Sequence, residues 1–167
     1  MKTLLVVSVS SGKNLALART FIEEGDRRGF STVHIHLPDL DLPLYGSLYG
    51  NNGPGPGLDR LEQALKDHRA LVICSPEYNG SIPPLLTNAI AWLSTRSDDF
   101  RALFNQRPVA LATHSGGSGQ KVVLAMRQQL AHLGCLVLGR ELLSNAEKPA
   151  TMETVALLVE QLANLQG

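Results

Sequence analysis

Residues 70–94 read ALVICSPEYNGSIPPLLTNAIAWLS, and this stretch decides the fold. The apolar run Ala70 to Cys74 is short and carries no polar alternation, which predicts a strand buried on both faces of a sheet. Ser75 to Pro84 is a loop rich in turn formers. Behind its paired prolines the helical period begins and runs from Leu85 to Ser94, since proline is at home in the first turn of a helix. Strand, loop and helix in that order are half of a βαβ unit.

The same unit recurs on both sides. Further strands are predicted over Thr3 to Val9, Thr32 to Leu37, Pro108 to Thr113 and Cys135 to Leu138. Further helices are predicted over Asn14 to Arg28, Leu58 to Asp67, Gln120 to Leu133 and Met152 to Leu165. Gly29 and Gly134 fall where the first and fourth helices must stop. The fold class is therefore α/β, a doubly wound five-stranded parallel sheet in the order 2-1-3-4-5 with helices on both faces. In that order the chain reverses direction between strands one and three, and a ligand site is expected at their carboxyl ends. Leu44 to Gly57 (LYGSLYGNNGPGPG) lacks periodicity and reads as a long loop or lid.

The chain has 167 residues, the size of one domain, and residues 1–167 are read as such. Hydrophobic residues make up 44% and charged residues 18%, which excludes a disordered chain. Fifteen basic residues balance fifteen acidic ones, so the field that draws a protein to nucleic acid is missing. No apolar run is long enough for a membrane span, and the start turns polar too early for a signal peptide, so the protein is expected in the cytoplasm. Cys74 and Cys135 sit in apolar runs and read as packing residues.

Three loops offer groups to one ligand. Ser10, Ser11, Gly12, Lys13 and Asn14 precede the first helix, and their hydroxyls and free N–H groups suit a phosphate, with an ordinary helix cap as the alternative. Pro76, Glu77, Tyr78 and Asn79 follow strand three and offer a stiffened loop with a flat aromatic face, suited to a planar heterocycle. Ser115, Gly116 and Gly117 follow strand four, where missing side chains let a ring lie against backbone donors.

The run Pro76-Glu77-Tyr78-Asn79-Gly80-Ser81-Ile82-Pro83-Pro84, with Asn88-Ala89-Ile90 and Trp92, resembles the signature of NADPH-dependent FMN reductases. These are flavodoxin-like enzymes that include azo-, quinone- and chromate-reducing members. Asp41 to Tyr45 and Ser115-Gly116-Gly117 resemble two further stretches of that family. The first loop departs from it: members carry a longer Gly-Ser-x-Arg-x-x-Ser-x-Asn loop, and here Ser11 and Asn14 match while the arginine is absent. The resemblance implies FMN as cofactor, NADPH or NADH as co-substrate, and a small electron acceptor such as a quinone, azo compound, metal oxyanion or free flavin. The flavin would carry the chemistry, with no catalytic side chain and no metal.

Other chemistries lack their residues. Gly117-Ser118-Gly119-Gln120 fails the nucleophile-elbow pattern, and neither cysteine has an arginine six positions on. His34 and His36 alternate on strand two and share a face, which reads as the polar face of an edge strand, with a metal pair as the lesser alternative. Two readings from other classes stay open: an electron carrier without a nicotinamide substrate, and a scaffold that has lost FMN. The helix from Leu85 is apolar nearly all round, which predicts a homodimer or homotetramer formed through the face around Trp92, with burial within one chain by the lid or the terminal helix as the alternative.

Overall fold

The computed structural model describes residues 1–46 and 53–166. The strands β1 (Thr3–Ser8), β2 (Ser31–His36), β3 (Ala70–Cys74), β4 (Pro108–His114) and β5 (Leu136–Val137) form one sheet in the order β2-β1-β3-β4-β5. All pairings are parallel. The helices are α1 (Lys13–Arg27), α2 (Pro56–Asp67), α3 (Pro84–Leu93), α4 (Gln120–His132) and α5 (Met152–Asn164). A 3-10 turn, Leu37–Leu40, follows β2.

Alternation along each strand divides the core in two. Leu5, Val7, Leu71, Ile73, Val109 and Leu111 face α2, α3 and α4. Leu4, Val6, Val72, Ala110 and Ala112 face α1 and α5. The second face is lined by small residues, so its helices lie close. Gly25 in α1 shows how close: a Cβ there would stand 2.8 Å from Thr32 Cγ2 and 3.0 Å from Leu4 Cδ2. In β2 only Ile35 is buried, as befits an edge strand. Gly29 and Gly134 take the left-handed conformation expected past α1 and α4, with φ of 78° and 89°.

Three expectations need correction. The fifth sheet position is shared: β5 pairs with the start of β4, and a sixth strand, β6 (Leu142–Ser144), pairs with its end. The break falls at Gly139 to Glu141, where the chain leaves the sheet and returns. The predicted loop 44–57 is shorter than expected, because Pro56 and Gly57 already belong to α2. Residues 47–52 of that loop lie outside the described residues.

The third correction concerns Trp92. Its face of α3 is covered by the chain itself: Trp92 Nε1 and Asn88 Nδ2 both donate to the Pro43 carbonyl, at 2.7 and 3.0 Å. Tyr45 donates its backbone N–H to Asn88 Oδ1 and sets its ring edge-on to the indole, 5.1 Å between centroids. The helix is apolar nearly all round because residues 41–45 pack on the side away from the sheet.

Candidate functional site

Strands β2, β1 and β3 end in register, with Ser8 opposite both His36 and Cys74, and β4 runs two residues past Ala112, the partner of Cys74, to His114. The three predicted loops therefore leave the same edge of the sheet.

The first loop turns at Gly12, whose φ of 71° is the left-handed region that glycine enters freely. Ser11, Gly12 and Lys13 are exposed and Ser10 is half-buried. Among the described residues, the backbone N–H groups of Ser10, Ser11 and Gly12 have no partner. They stand at the N-terminal end of α1, whose dipole favours an anion.

Asn14 is placed differently. It is buried, donates through Nδ2 to the His114 carbonyl and accepts the His114 N–H at Oδ1, both at 2.9 Å. Its amide braces the first loop against the end of β4, over the top of β3.

The second loop is stiffened chiefly by a hairpin that the prolines flank. Tyr78 and Ser81 exchange backbone hydrogen bonds of 3.1 and 3.0 Å around Asn79 and Gly80. Both turn residues have positive φ, 52° and 72°, as the Asn-Gly type I′ turn requires. The turn holds Tyr78 outward, 49% exposed, and Asn79 is exposed beside it. Pro76 is buried, and Glu77 turns away to accept the Val122 N–H at 3.3 Å, so its carboxylate caps α4.

In the third loop Gly116 and Gly117 are exposed, and a Cβ on either would meet no atom within 4 Å. Ser115 is buried, its hydroxyl donating to the Gly117 carbonyl at 3.0 Å. The loop is held from β6, where the Ser115 N–H reaches the Ser144 carbonyl and Asn145 Nδ2 donates to the Gly117 carbonyl. The sequence reading missed Ser144 and Asn145, because it ended the last strand at Leu138.

The first two loops share a cleft of about 480 Å³, lined by Ser10, Ser11, Pro38, Tyr78, Pro83 and Leu85 among others. Ser115, Gly116 and Gly117 stand beside it and do not line it. On the β2 side lies a further group that sequence reasoning left on a solvated face. The buried Ser8 hydroxyl meets His34 Nε2 at 2.9 Å and His36 Nδ1 at 2.7 Å, and His36 Nε2 lies 3.3 Å from the Ser11 hydroxyl. Burial, and then the neighbouring His36, push the His34 pKa below its ordinary value.

Among the described residues no group of three or more His, Cys, Asp or Glu is arranged to hold a metal. Cys74 and Cys135 are free and buried.

The model of the family described as NADPH-dependent FMN reductase matches residues 1–148. The chain belongs to that family. The chain is 31% identical over 128 residues to a quinone reductase of Escherichia coli (strain K12), a match covering 71% of this chain and 66% of that one. It is 30% identical over 110 residues to a probable NADPH:quinone oxidoreductase 2 of Oryza sativa subsp. japonica, covering 66% and 52%. The chain thus spans just under two thirds of the length of the quinone reductase. Among solved structures, FerB, a flavoenzyme NAD(P)H:(acceptor) oxidoreductase of Paracoccus denitrificans, superposes with a TM-score of 0.74 at 21% identity, over 99% of this chain and 95% of that one. A flavodoxin from the domain Archaea superposes at 0.69 and 16% identity over the whole of both chains. The fold of this family member is flavodoxin-like, and the cofactor of the family is FMN.

The residues present suit that cofactor. A phosphate needs several donors near one another, and three consecutive N–H groups without partners among the described residues, those of Ser10 to Gly12, lie at the start of α1 beside the Ser10 and Ser11 hydroxyls. A planar ring needs an exposed flat face and backbone free of side chains, and Tyr78 with Gly116 and Gly117 supply these.

Proposed function

We propose that this chain binds FMN at the sheet edge and acts as an NAD(P)H-dependent oxidoreductase that passes electrons to a small acceptor: a quinone, azo compound, metal oxyanion or free flavin. The observation that carries the reading is the cleft shared by the first two loops, with unpartnered backbone donors at one end and the outward Tyr78 at the other. Ser10, Ser11 and Lys13 hold the phosphate with the end of α1. Asn14 keeps that loop in place through His114. Tyr78 and Asn79 would bound the ring, Pro76 and Glu77 fix their turn, Gly116 and Gly117 would offer backbone donors to it, and Ser115, bonded to Ser144 and Gly117, holds their loop.

FMN held by these residues would supply the hydride-transfer chemistry between the nicotinamide and the acceptor. The chain's contribution is placement. Tyr78, Gly116 and Gly117 are exposed, so nicotinamide and acceptor would reach a flavin held there from solvent and take turns at one site, and initial-rate plots should show parallel lines.

The working form is a homodimer seated on the groove between α3 and α4, lined by Ser81, Ile82, Thr87, Ala125, Gln128 and His132. Leu124 is 63% exposed on α4, and the buried Gln129 Oε1 finds no partner within the described chain. No described helix is long and apolar enough to cross a membrane, and two free thiols suit the reducing cytoplasm, where we place the protein. Equilibrium dialysis against FMN tests the reading: one flavin per chain supports it, and no bound flavin at saturation defeats it.

A further inference from the structure

We propose that His36 is a phosphate-binding residue of the flavin site, presented by Ser8, and that it makes the site select FMN over flavins without a phosphate. This rests on the proposed function and adds a residue from β2 to a site otherwise built from the loops after β1, β3 and β4.

The geometry of three side chains carries it. Ser8 is the last residue of β1 and pairs in register with His36, the last residue of β2. Its hydroxyl is fully buried and meets both histidines, at 2.9 Å to His34 Nε2 and 2.7 Å to His36 Nδ1. A hydroxyl has one proton, so it donates to one ring and accepts from the other. Either direction fixes the His36 ring and leaves Nε2 pointing at the first loop, where it lies 3.3 Å from the Ser11 hydroxyl. A surface histidine on an edge strand needs no such anchor.

Proton placement follows from the chain of partners. Where Ser8 donates to His36 Nδ1, the neutral ring carries its proton on Nε2, whose N–H faces Ser11 at 3.3 Å and can donate to an anion held there. His34 takes the other side of the hydroxyl through Nε2, and burial, then the nearby His36 and Arg19, lower its pKa against the opposing effect of Asp39. The loop's own cation, Lys13, is exposed and has no side-chain partner among the described residues, so His36 is the oriented donor.

The test is titration of apo-protein with FMN and with riboflavin, in wild type and His36→Phe. FMN should weaken by about tenfold or more in the variant, the scale of one charge-assisted hydrogen bond, while riboflavin stays within about twofold. Equal losses for both flavins would make His36 a structural residue, and no loss would leave it a bystander; either overturns the inference. Should the variant not fold, wild type with 15N-labelled histidine gives the answer: the His36 Nε2 resonance should move with FMN and stay with riboflavin, and any other pattern overturns it. Wild type that binds neither flavin defeats the proposed function itself. Wild type that binds FMN and keeps its affinity on His36→Phe defeats only this inference.

Discussion

Asn14 and His114 stand 100 residues apart in the chain and exchange two hydrogen bonds of 2.9 Å, side-chain amide to backbone N–H and carbonyl. The amide crosses above β3 and makes the first and third loops one unit. Replacing Asn14 by Ala leaves the part-buried N–H and carbonyl of His114 without these partners, which should cost about 1–3 kcal/mol of stability. FMN and riboflavin should weaken together, because both loops lose their common anchor. Denaturant melts and the two flavin titrations check this; a loss confined to FMN would place Asn14 on the phosphate instead.

The Tyr78 turn gives the second prediction. Gly80→Ala forces a side chain onto a residue at φ 72°, with Lys121 Cδ 3.3 Å from the new Cβ. The strain is about 1–2 kcal/mol and falls on the turn that aims Tyr78. Tyr78→Ala removes the ring itself and should cost FMN and riboflavin equally, about 1 kcal/mol each. Unequal losses in the Tyr78 variant would show that it touches the phosphate end.

Thiol chemistry supplies a third. Burial pushes the Cys135 thiol up to about 12 and the Cys74 thiol higher still. Neither is a thiolate at neutral pH, so a disulfide reagent at pH 8 should label no thiol in the folded protein and both after denaturation. Fast labelling of native protein would mean that β3 or the start of β5 opens.

A fourth concerns acid. Hydrogen bonds from Arg27, against the opposing effect of burial, hold Glu24 down to about 2. The folded value lies below the ordinary 4.5, so the stability it contributes is complete above that value and is lost as pH falls toward 2. Glu24→Gln should therefore lower the denaturation midpoint at pH 7 and change it little near pH 2. A midpoint difference that persists at pH 2 would assign the loss to packing.

Much of this architecture is legible in the residues. β1, β3 and β4 are unbroken apolar runs because both their faces are covered, and the helices between them carry a plain 3.6 period. The Asn79-Gly80 pair announced a hairpin, yet the prolines around it drew the reading toward a stiff loop. Other features depend on tertiary pairing that no local pattern states. Leu142–Ser144 is three residues long and separated from Leu138 by a charged break, so it has too little period to stand out. Trp92 looked like a surface waiting for another chain because its cover, Pro43, lies 49 residues away. His36 looked solvated because alternation says which face a residue takes, and not that Ser8 stands opposite.

The account turns on one measurement. FMN-loaded protein is made anaerobic and mixed with NADPH or NADH while the visible flavin absorbance is followed, and a quinone is then added. Loss of the absorbance on mixing and its return with the quinone is the predicted result, one flavin per chain taking part in each half. Flavin that is bound but stays oxidised under both nicotinamides would contradict the oxidoreductase reading and make this fold an electron carrier.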